Sequence, residues 1–121
     1  MRTLILTSLM ILMSGCAMTI PSFYDDNESL LAVDVRHAVK VLDCQGDIKP
    51  QIKKIDYAIT RFSLYSESKK SDDMQAMIKL IKKTNDGLME KKEIKPAFCE
   101  IKRKVLIKQS NDIATAVMGR Y

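Results

Sequence analysis

A chain of 121 residues is long enough for one small domain and too short for two, and it carries a formal net charge of +5. With no Trp, four Gly and three Pro against a steady supply of Leu, Ile, Val, Met and Lys, it is neither fibrous nor disordered. That mixture predicts helices packed around a single core.

The first residues are Met1-Arg2, and residues 3–13 then run without a charge. That apolar segment of about eleven residues falls well short of the roughly 20 that a helix needs to span a bilayer. A charged start, a short apolar centre and a small-residue end describe an export signal. The end, Met13-Ser14-Gly15-Cys16, resembles the lipobox of bacterial lipoproteins, with Met13 where Leu is commoner and Leu12 one place early. The resemblance implies removal of residues 1–15, a diacylglyceryl group on the Cys16 thiol, and an acyl chain of the palmitate type on its new amino group. Three chains on one residue exceed the two signals that stable anchoring requires. Ala17 follows Cys16, not Asp, and by the same resemblance the protein is expected on the outer membrane, facing the periplasm.

Without residues 1–15, 106 of the 121 residues remain. Residues 16–27 read as a lipidated tether in which Pro21 discourages regular structure, and such a length reaches at most roughly 40 Å. Residues 28–121 form the folded domain. Charge is uneven along it: residues 79–108 hold ten Lys or Arg against four acids, and residues 25–78 hold eight against ten. Export argues against nucleic acid as the partner of the basic half. Such a run suits anionic lipid, an acidic protein or simply a solvated helix face.

A first helix is expected over residues 28–43, capped by Asn27 or Asp26, with Leu31, Val35, Ala38 and Leu42 at helical spacing. Gln45-Gly46-Asp47 breaks it, and Pro50 suits the first position of a second helix. That helix should run to about Ser68 and bury Ile52, Ile55, Ile59 and Phe62. Ser71-Asp72 caps a third, with Met74, Met77, Ile78 and Ile81 inward. Asn85-Asp86-Gly87 is a stop signal, although the pattern leaves room for the helix to reach Glu90. The fourth starts near Pro96 and ends near Met118, with Phe98, Ile101, Val105 and Ala116 on one face.

Four amphipathic helices with short connections predict an all-α, antiparallel four-helix bundle. An oxidising periplasm makes a disulfide the default for the remaining pair, Cys44 and Cys99. The topology agrees: the end of helix one and the start of helix four fall at the same end of an up-down-up-down bundle. Closing a loop of about 55 residues should stabilise the domain by roughly 4 kcal/mol.

Nothing in the chain argues for catalysis. Ser66-Glu67-Ser68-Lys69 fits Ser-x-x-Lys, but Lys83-Thr84-Asn85 lacks the glycine of the companion Lys-Thr-Gly element, and a domain this small does not hold the penicillin-recognising fold. His37 is the only histidine and has no ligand cluster around it, so no metal or cofactor is expected. Asp25-Asp26-Asn27-Glu28 lacks an EF-hand spacing and is explained by helix capping; the methionines of the mature chain fit core filling.

A small helical lipoprotein with one bridge resembles the pilotins of type II secretion. The resemblance rests on Cys16, on Cys44 closing the first helix ahead of Asp47-Ile48, and on Cys99 opening the last. It implies a protein client whose short helix lies in a groove of the bundle. Residues that the core does not need are candidates for that contact: Tyr57 and Leu64 lie opposite the buried stripe of helix two, and Ile107 opposite Phe98 on helix four, flanked by the basic run 102–104. Two other classes share the anchor: outer spanins, phage lysis lipoproteins that pair with an inner-membrane partner, and exclusion or inhibitor lipoproteins. The chain has no Pro-rich arm and no long coiled coil of the kind that would give a spanin its reach.

Overall fold

The computed structural model describes residues 26–119. Four helices account for most of them: α1 (Asp26–Lys40), α2 (Ile48–Lys69), α3 (Asp72–Met89) and α4 (Pro96–Met118). Each packs against its two neighbours, α1 on α2, α2 on α3, α3 on α4 and α4 back on α1, so the ring closes. Cross-helix contacts run in opposite order along each pair. Asp34 meets Arg61 while Asp43 meets Gln51, and Asp56 meets Lys82 while Ile52 meets Asn85. The bundle is therefore antiparallel throughout, and no strand occurs among the described residues.

Local chemistry sets the ends. Asp26 and Glu28 in the first turn of α1, with His37 and Lys40 in its last, complement the helix dipole. The helix starts two residues earlier than expected, absorbing Asp26 and Asn27, and stops at Lys40 instead of 43. The early stop has a cause in Gln51, whose side chain holds the connecting loop. Its Oε1 accepts from the Asp43 N–H at 2.7 Å, and its Nε2 donates to the carbonyls of Asp43 and Asp47 at 3.0 and 2.8 Å. Pro50 sits in the third position of α2, where its missing N–H still costs no helical bond. At the other end of α2, Lys70 takes the left-handed conformation, φ 55° and ψ 39°. Its N–H donates to Glu67 and that of Ser71 to Ser66, the paired bonds of a Schellman ending.

α3 runs through the Asn85-Asp86-Gly87 stop signal to Met89. Asn85 is fully buried and its Nδ2 donates to the Ile52 carbonyl of α2 at 3.2 Å, while Leu88, on the same face of the helix, is in the core. Tertiary contacts on both sides of Gly87 outweigh its poor helix propensity, a cost of about 1 kcal/mol. Pro96 opens α4 as its first residue.

Ile52, Ile55, Ile59 and Phe62 are all buried, as are Met74, Ile78 and Ile81, with Met77 half-buried at the edge. On α1, Val35 is buried, Leu31 and Ala38 lie at the margin, and Ala32 and Val39 complete the inner face; Leu42, just beyond the helix, is buried too. α4 is rotated relative to expectation. Ile101 and Val105 are exposed, Phe98 and Ala116 are marginal, and the inner line is Cys99, Leu106, Ser110, Ile113 and Val117.

Cys44 and Cys99 form a disulfide across 55 residues of sequence, with Cα atoms 5.7 Å apart. Both are buried. The bond ties the α1–α2 loop to the first turn of α4, at the end of the bundle opposite the start of α1.

Candidate functional site

Cys16, the leader before it and the tether up to residue 25 lie outside the described residues. Among the described residues no helix is long and apolar enough to cross a membrane. No group of three or more His, Cys, Asp or Glu among them is placed to hold a metal ion, and His37 is exposed.

Tyr57 and Leu64 stand on the outer side of α2, 67% and 59% exposed. They do not stand alone. Leu30 and Val33 on the neighbouring α1, and Val41 just past its end, are exposed as well, and at 100° per residue the three fall within an arc of about 80°. The Asp34–Arg61 ion pair, at 3.7 Å, sets these turns of α1 and α2 side by side. Arg61 also lies over the Tyr57 ring, 5.7 Å from its centroid, so one guanidinium joins Tyr57 to the acid on α1. At the upper end of the same face, His37, Ala38, Val41, Gln51 and Lys54 bound a shallow groove of about 350 Å³. The outer sides of α1 and α2 thus each carry exposed apolar residues, with the ion pair between the two helices, while Val33, about 20° from Lys40 on the helix, leans toward α4. Isolated exposed apolar residues are ordinary on a protein, and what distinguishes this side is that Leu30 and Val41 on α1 and its end accompany Tyr57 and Leu64 on the adjoining helix.

Ile107 belongs elsewhere. It is half-buried, packs against the core, and lines the groove between α4 and α1 with Arg36, Lys40, Arg103, Ser110 and Asn111. The expectation that it faces away from the core took Phe98 as an inward marker. Phe98 is instead a rim residue, held under Lys91 and Lys102 at 4.2 and 5.6 Å from the ring centroid. With the inner line running through Cys99, Leu106 and Ile113, Ile107 is turned about 90° from the core direction, toward α1. α2 and α4 are not neighbours in the ring, so Tyr57 and Leu64 do not share a surface with Ile107.

The basic run 102–104 splays in the same way. Lys102 covers Phe98, Arg103 donates from Nε to the Leu42 carbonyl at 3.1 Å, and Lys104 is exposed on the outside. Two features escaped sequence reasoning: the Leu30, Val33 and Val41 line, and the convergence of Arg36 and Lys40 on Arg103. Their helical spacing was legible, but which flank of α1 meets α2 and which meets α4 was not.

Comparison with protein-family models, with curated proteins and with solved structures finds no match to this chain.

Proposed function

We propose that this protein is an outer-membrane lipoprotein, anchored through acylated Cys16 and facing the periplasm, whose bundle is a non-catalytic binding or assembly factor holding a helix of a protein client. The observation that carries the binding reading is the exposed apolar face on α1 and α2 around Tyr57 and Leu64. A client helix with residues at i, i+3 and i+7 would lay an apolar stripe between the two helices. The disulfide supports the same reading: a cross-linked, well-packed bundle keeps such a face in place without drawing the face into its own core. The lipobox supports the location.

Replacing Tyr57 and Leu64 together with Ser tests the binding half. Neither side chain is buried, so the melting temperature should stay nearly unchanged while the client no longer co-purifies from membranes. A double variant that still holds its client would place the contact elsewhere on the bundle.

A further inference from the structure

The groove between α1 and α4 gathers positive charge of which the fold uses only a part. Arg36 and Lys40 stand one turn apart on α1, and Arg103 faces them from α4. Between them Ile107 makes an apolar floor, and Ser110 and Asn111 extend the wall in a groove of about 260 Å³. Toward the far end it continues past Asn111, Ala114 and Met118. No acid lines either part. Some cations elsewhere on the bundle find acids: Arg61 pairs with Asp34, Lys82 with Asp56 and Asp86, and Lys108 with Asp112. Among the described residues Arg36 and Lys40 pair with nothing. Arg103 is already oriented, by its bond to the Leu42 carbonyl and by Glu100 at 3.7 Å.

We infer that this groove is a second docking site, and that its occupant is an acidic helical segment of a protein partner, with carboxylates one turn apart set against Arg36 and Lys40 and an apolar residue seated on Ile107. The spacing argument is direct, because residues four apart on the partner helix have the same separation as Arg36 and Lys40 on α1. The shape argues for a helix over a membrane surface. Arg103 and Ile107 sit partly buried between two helices, where a flat headgroup layer does not reach them, and the lysines suited to a flat anionic surface lie on the outer faces of α3 and α4. Unpaired charge of one sign in a groove steers and aligns an oppositely charged partner. The inference rests on the reading of the protein as a binding factor and adds the chemistry of what it binds.

The test uses the full chain in mild detergent and a synthetic amphipathic peptide with Glu at i and i+4 flanking Leu, beside the same peptide with Lys in place of Glu. Amide resonances of Arg36, Lys40, Arg103, Ile107 and Asn111 should shift with the acidic peptide and not with the basic one. Arg36→Ala with Lys40→Ala should weaken binding about tenfold, and Lys79→Ala with Lys83→Ala, which removes the same charge from α3, by less than about twofold. Equal losses from the two double variants would show diffuse attraction to a basic protein and overturn the site. Binding to phosphatidylglycerol vesicles lost in the Arg36/Lys40 variant, with the peptide silent, would reassign the groove to lipid and overturn the helix. Co-purification of the client with the same chain separates the two readings: a chain that holds its client through Tyr57 and Leu64 yet ignores the acidic peptide remains a binding factor and loses this site.

Discussion

Lys70 holds a left-handed conformation that ordinarily falls to glycine, and it does so because the Schellman bonds from Lys70 and Ser71 close α2. A side chain there costs about 1–2 kcal/mol, and glycine would recover that strain while giving part of it back through its freedom in the unfolded chain. Lys70→Gly should raise stability by about 0.5–1 kcal/mol, read as a higher denaturant midpoint with an unchanged slope. The cysteines also act through the unfolded state. Replacing both Cys44 and Cys99 with Ala should lower the unfolding free energy by about 2–5 kcal/mol, measured by urea titration against the oxidised wild type. A loss under about 1 kcal/mol would show that the four helices hold together without the bond. The pairing of the two cysteines is legible in the sequence, since under the proposed export and acylation of Cys16 only Cys44 and Cys99 remain, and they leave one connectivity. The left-handed Lys70 is not, because nothing in Ser68-Lys69-Lys70-Ser71 announces a positive φ.

At the scale of elements, α2 and α4 show what periodicity does and does not decide. α2 has one dominant buried stripe, with Lys, Arg, Tyr and the exposed Leu64 around the rest, so its phase follows from the spacing of its apolar residues. α4 carries Val105, Leu106 and Ile107 in succession, with Ile101 one turn back, and several helical phases fit such a run equally well. The disulfide resolves the phase. Cys99 must face the α1–α2 loop, and counting from it by helical steps of 7, 11, 14 and 18 reaches Leu106, Ser110, Ile113 and Val117, the line that is buried. A covalent constraint outweighs a hydrophobicity count when the count is ambiguous. The rotation has a measurable consequence. Leu106→Ala should cost about 2–5 kcal/mol through the cavity it opens, whereas Ile101→Ser should stay within about 0.5 kcal/mol of wild type. Thermal melts of the two variants compare them directly, and similar losses would restore Ile101 to the core. The candidate contacts divide along the same line. Tyr57 and Leu64, on the helix whose phase was unambiguous, are exposed as expected, while Ile107 is turned into the α1–α4 groove.

Across the whole molecule, the ring of four helices shares α1 between an apolar face toward α2 and a basic groove toward α4. Both lie along the flanks of the bundle, and Tyr57, Leu64, Arg36 and Lys40 lie outside the core. Such an arrangement suits a protein that is fixed at one end and presents its sides. The proposed anchor at Cys16 is what location, export and an oxidising surrounding for the disulfide depend on. Its most direct test is the intact mass of the protein extracted from cell envelopes with thiols trapped. Acylation at Cys16 gives a chain beginning at that residue, without residues 1–15, heavier by a diacylglyceryl group and one further acyl chain. A mass that retains residues 1–15 with a free thiol at Cys16 would contradict it.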